Sequence, residues 1–174
     1  MRTLVHLDKW LTNVAVAGLE SSLPALAESK KLKNENLIVR VAQDLTQDAR
    51  GTERDFLCKS LIETLLSISG LEPGVDRPVL AERFARYLQA HSSTELLRKF
   101  VSIHVFNVVW FRCCDLLRVE AKSNGDFVRT MEGVEHFCHR VVDMTWDAQK
   151  IKRPLTSSSA NELVDRIAKR FCGA

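Results

Sequence analysis

Between residues 132 and 143 the stretch EGVEHFCHRVVD carries two histidines, a cysteine and three carboxylates, a density of donors that raises the question of a metal site. On a helix, Glu132, His136, His139 and Asp143 fall at i, i+4, i+7 and i+11 and share one face. The turn SNGD before this stretch predicts an antiparallel pairing with the preceding helix. That pairing sets Cys113 and Cys114 level with His136, and Trp110 level with His139. Imidazole nitrogens and thiolates are the donors that a tetrahedral zinc ion takes. Cys114, His136 and His139 are therefore the candidate metal ligands, with Cys113 or Cys138 as a fourth.

The spacing argues against the chemistry. Adjacent Cys113 and Cys114 point about 100° apart on a helix, and the chain contains no C-x2-4-C knuckle of the kind structural zinc sites use. The Glu-x-x-His pattern of di-iron bundles is missing too, because Glu135 follows Glu132 by three residues and Cys138 follows Glu135 by three. The preferred reading takes the cysteines as small core hydrophobes and the histidines as exposed or bonded to Glu132 and Asp143. No cofactor is expected.

His104 and Asn107 are polar residues within the most apolar run, Phe100 to Phe111. Burial would force them to find hydrogen-bond partners. They are expected to form a buried pair that fixes helix register, with a ligand pocket as the alternative. His104 is not expected to act as a catalytic base. No nucleophile sits in a recognisable strand-turn-helix setting and there is no glycine-rich phosphate loop, so the chain is read as a non-enzyme.

Charge supplies the remaining candidates. The net charge of +3 is uneven, since residues 148–174 hold six basic and two acidic residues while the rest of the chain is close to neutral. Lys150, Lys152, Arg153, Arg166, Lys169 and Arg170, with Lys30, Lys31 and Lys33, would contact phosphates in a salt-sensitive, sequence-independent way. Reading of specific DNA is not expected, because SGLEPGVDR within residues 53–90 is too long for the turn of a helix-turn-helix. The same C-terminal segment places Leu163, Ile167 and Phe171 on one apolar face, a docking stripe for its own bundle or for a partner.

The elements that must position these residues are helical. With 45% apolar residues the 174-residue chain can build a single core, and its few glycines and prolines punctuate apolar-periodic segments as they do in helical proteins. Helix one is predicted over about 4–27, ended near Leu23 by Pro24. Helix two covers 37–49 with Gly51 as a left-handed cap, helix three runs from Thr52 to Gly70, and helix four starts at Asp76. Ser92 and Glu95 have capping-box spacing and open helix five, the longest. Apolar nearly all round over Phe100–Phe111, it must be enclosed by neighbours, whereas that run is too short to span a bilayer. Asp126 caps helix six, and Ser159 with Glu162 opens the last helix.

The fold class is accordingly all-α: a single-domain bundle of six or seven helices around a long apolar central helix (about 93–122), with an antiparallel helix 126–150. Residues 1–153 form the bundle domain, 154–159 a short linker, and 160–172 a C-terminal amphipathic helix docked on the bundle or on a partner. Five cysteines, an odd number, indicate a reducing compartment. Asp8, Lys9, Asn13 and Glu20 interrupt the signal-like N-terminus, and the ending Cys172-Gly-Ala is one residue short of a prenylation box, so a cytoplasmic protein without a membrane anchor is expected. The favoured function is a non-enzymatic interaction module, a subunit or adaptor that meets a protein partner or its own copies through Leu163, Ile167 and Phe171. Second comes a nucleic-acid-backbone-binding subunit of a ribonucleoprotein or DNA complex, using the basic cluster. Third is a metal- or ligand-sensing bundle using Cys114, His136 and His139.

Overall fold

The computed structural model describes residues 2–22, 34–69, 77–149, 151 and 153–172. Among these the chain is an all-α bundle of seven helices with no strand. The helices are α1 (Arg2–Ala17), α2 (Asn34–Leu45), α3 (Gly51–Ser69), α4 (Arg77–Ala90), α5 (Ser93–Glu120), α6 (Asn124–Gln149) and α7 (Ser157–Cys172), and a single 3-10 turn, Glu20–Ser22, follows α1.

Local chemistry explains most of the boundaries. The capping box opening α5 is formed as expected: Glu95 N donates to Ser92 Oγ at 3.2 Å and Ser92 N donates to Glu95 Oε2 at 2.9 Å, satisfying two donors that the helix leaves orphaned. α1 ends at Ala17, well before the predicted Leu23. Gly18 adopts φ +82° and its N–H donates to Val14 O at 3.0 Å. A residue without a Cβ enters the left-handed region at little cost, so the helix stops there. Gly51 also has positive φ, +57°, but it begins α3 instead of closing α2, which stops at Leu45. α6 starts at Asn124 because Ser123 Oγ accepts from Asp126 N at 3.1 Å. Asp126, the expected cap, pairs instead with Arg129 at 2.7 Å. α7 starts at Ser157, ahead of the expected 160, because Thr156 and Ser159 cap it reciprocally, with Ser159 N to Thr156 Oγ1 at 3.1 Å and Thr156 N to Ser159 Oγ at 3.0 Å. The predicted start of helix four at Asp76 lies outside the described residues.

The core is built from Leu4, Leu7 and Leu11 of α1, Ile38 and Ala42 of α2, Leu57, Leu61 and Leu65 of α3, and Leu96, Leu97, Phe100 and Val101 of α5. Val142 and Trp146 of α6 and Leu163 and Ile167 of α7 complete it. Trp10 meets Phe84 of α4 edge-on, with ring centroids 6.1 Å apart. α7 packs on α6 and α1, and the junction is latched by Asp8, a buried α1 carboxylate. Asp8 Oδ1 accepts from Arg153 Nε at 2.6 Å and Oδ2 from Leu155 N at 2.7 Å, while Arg153 also donates to Thr12 Oγ1 at 3.0 Å.

The expectation that α5 is enclosed along its length is met only in its first half. Leu96, Leu97, Phe100, Val101, Ser102 and Asn107 are buried, but Phe111 is 62% exposed, Leu116 68% and Val119 83%. The reason is the reach of its neighbours. α3 runs antiparallel to α5 and reaches Phe111 through Phe56, ring centroids 4.8 Å apart, close to its own N-terminus. Past that point the described packing of α5 is with α6, against which Trp110 and Arg118 close on Phe127.

Candidate functional site

The histidine- and cysteine-rich stretch lies on α6 as predicted, but its donors do not converge. Among the described residues no group of three or more His, Cys, Asp or Glu side chains is placed to hold a metal ion, so the set Cys114, His136 and His139 is not assembled. The antiparallel register itself is close to the expected one. Trp110 and His139 line the same cleft. Burial, with the Glu135 carboxylate adding to it, pushes the Cys138 thiol up to about 11, so it stays protonated and inert as a nucleophile. Exposure, one of the two outcomes expected of the histidines, is found for His136, whereas His139 takes a different carboxylate from those expected. His139 Nε2 lies 3.9 Å from Glu135 Oε1, one turn back on its own helix, whereas Asp143 faces Arg98 of α5 at 3.5 Å.

His104 and Asn107 are joined through a third residue that sequence reading missed, Ser60 of α3. Ser60 Oγ donates to Phe56 O at 2.7 Å and accepts from Asn107 Nδ2 at 3.1 Å, and His104 Nδ1 lies 3.3 Å from it. The second Asn107 amide hydrogen goes to Glu63 Oε2 at 2.6 Å. Burial pushes His104 down to about 4, against a hydrogen bond to the Phe56 carbonyl that acts the other way. Ser60 is fully buried and its proton is committed to backbone. This is a register lock between α3 and α5, with no nucleophile presented to solvent.

Beside the lock lies an open cleft of about 420 Å³ between α3, α5 and α6, floored by Ile103, Phe106 and Trp110. Its charged rim is already paired, Lys59 with Glu63 at 3.8 Å and Glu135 with His139.

The C-terminal candidates are placed differently from expectation. Leu163 and Ile167 are buried in the chain's own core, and Phe171 packs against it and meets Phe137 edge-on, centroids 5.3 Å apart. Leu163 and Ile167 hold α7 to the bundle and are not available as partner anchors, while Phe171 is half-buried beside them. An amphipathic face is equally suited to either role, and α6 with α1 provides the nearer apolar surface. Of the proposed phosphate contacts, Arg153 is bound to Asp8 and Arg166 to Glu162. Lys169 and Arg170 are exposed, and Lys30, Lys31, Lys33, Lys150 and Lys152 lie outside the described residues.

Large apolar side chains left in water include Phe111, Leu116 and Val119 on the second half of α5, Val128, Phe137 and Met144 of α6, and Val16 at the end of α1. Sequence reading placed the second half of α5 in the core. The signal that it is not is the appearance of Arg112, Asp115 and Arg118, which interrupt an otherwise apolar run. By length and composition α5 is also apolar enough to cross a membrane, the single such helix among the described residues. No family model, no curated protein and no solved structure matches the chain.

Proposed function

We propose that this protein is a non-enzymatic helical interaction module, a subunit or adaptor of a larger protein assembly, and that the outer half of α5 is its contact surface. The observation that carries the reading is the exposure of Phe111, Leu116 and Val119 on a helix whose first half is core. Contiguous large apolar groups in water mark interaction sites on folded proteins, and an aromatic anchor among aliphatic neighbours is the usual composition of such a contact. A bilayer is the less suitable cover, since Arg112 and Asp115 stand within the same stretch and would enter hydrocarbon with it. The four described thiols are free, which suits the reducing cytoplasm proposed for it.

Covalent footprinting of the protein in its native assembly tests the reading. Side chains over 108–119 are expected to be protected relative to the purified chain, while the exposed His136 face of α6 labels equally in both. Equal labelling of 108–119 in the two states would remove the proposed surface.

A further inference from the structure

Two charged residues stand within the apolar face of α5. At about 100° per residue, Val108, Phe111, Arg112, Asp115, Leu116 and Val119 all fall within an arc of about 140° on the helix. Leu97 and Val101 lie on the same strip about two to three turns before Val108, and both are buried. The strip is therefore core at one end and bare at the other. Arg112 and Asp115 are exposed in its middle, and neither has an ion-pair partner among the described residues. The nearest polar contact of Asp115 is a long one, 3.9 Å from the neighbouring Cys114 Sγ.

We infer that this face pairs with the same face of a second copy of the chain, antiparallel, about a two-fold axis passing between Cys113 and Cys114. The spacing of the six residues is self-complementary about that point. Phe111 and Leu116 are equidistant from it, as are Val108 and Val119, and as are Arg112 and Asp115. A two-fold related helix thus brings Val108 onto Val119 of the second copy, and sets Phe111 level with Leu116 of the second copy at the edges of the contact. It also sets Arg112 against Asp115 of the second copy, twice over, on either side of the axis. An isologous contact requires this self-matching, and opposite charges nearest the axis, with apolar pairs on either side of them, supply the register and disfavour the parallel arrangement, which would set like charges together. The contact spans about 18 Å of helix, a small interface of the reversible kind. This inference rests on the reading of the α5 face as a contact surface.

Charge reversal on the full chain tests it. Arg112→Asp sets two acidic groups against each other across the axis, and Asp115→Arg sets two basic ones. Each single variant, purified alone, is expected to dimerise more than about tenfold more weakly than the wild type in sedimentation equilibrium. Mixing the two variants in equal amounts restores opposite charges at both positions and is expected to recover the dimer. Both side chains are exposed, so thermal melts that match the wild type establish that the fold is intact. A wild-type chain that stays monomeric to the highest soluble concentration overturns the inference, as does a dimer indifferent to both reversals or a mixture that fails to recover. If the purified chain is monomeric while residues 108–119 are still protected in the native assembly, the second copy is excluded and the contact surface stands. If both fail, neither stands.

Discussion

Arg153 reaches back 145 residues to place its Nε 2.6 Å from Oδ1 of Asp8, closing the bundle where the chain leaves α6 for α7. Asp8 is only 1% exposed, and a buried carboxylate left without its cation costs far more than the pair contributes. Arg153→Ala is expected to destabilise the fold by about 3 kcal/mol, measured by urea unfolding. Asp8→Asn keeps an acceptor for Leu155 N–H and leaves the cation free to reach water, so it is expected to cost less, about 1–2 kcal/mol. The loss of nucleic-acid binding in an Arg153 variant, were any seen, would for this reason report on the fold.

The lock around Ser60 gives stability a defined dependence on pH. His104 is held down to about 4 from an ordinary value near 6.5, so the unfolded chain takes up its proton first as pH falls. Neutral His104 is accommodated fully above about pH 6.5, and stability is lost progressively from there down to about pH 4. The loss attributable to this residue is about 3 kcal/mol. Unfolding free energies of the wild type and His104→Gln, taken at intervals over this range, are expected to converge by about that amount as pH falls.

Helix α7 is part of the core, which makes its truncation a test of the fold. Leu163 has no exposed surface, and Leu163→Ala is expected to cost about 2–5 kcal/mol through lost burial and the cavity left behind. Removal of residues 157–174 should leave a chain without a cooperative thermal transition. A truncated chain melting like the wild type would contradict this packing.

The parts of the fold legible in sequence are those set by chemistry within a few residues. Ser92 and Glu95 cap α5 as their spacing demands, and the antiparallel pairing of α5 with α6 follows from the short turn between them. Caps that compete locally were less legible: Ser123 displaced Asp126, Thr156 with Ser159 displaced Ser159 with Glu162, and Gly18 ended α1 before Pro24 could. What covers an apolar face is a non-local fact. The stripe of Leu163 and Ile167 and the stripe of Phe111, Leu116 and Val119 are alike in composition. One meets α1 and α6 while the other extends beyond the end of α3, and periodicity cannot separate them. Ser60, the centre of the polar lock, is 44 residues from His104 and carries no local mark.

Because Leu116 and Val119 face water, replacing them should alter association and leave the fold unchanged. Leu116→Asp with Val119→Asp is expected to shift the thermal midpoint by less than about 2 °C, since exposed positions rarely change stability by more than about 0.5 kcal/mol. The direct comparison is sedimentation velocity of the wild type and this double variant, each isolated under native conditions from its own host. The wild type is expected to sediment well above the 19.7 kDa of one chain, and the double variant, equally folded, at that of a single chain. Equal sedimentation of the two would contradict the assignment of the outer half of α5 as the surface through which this protein works.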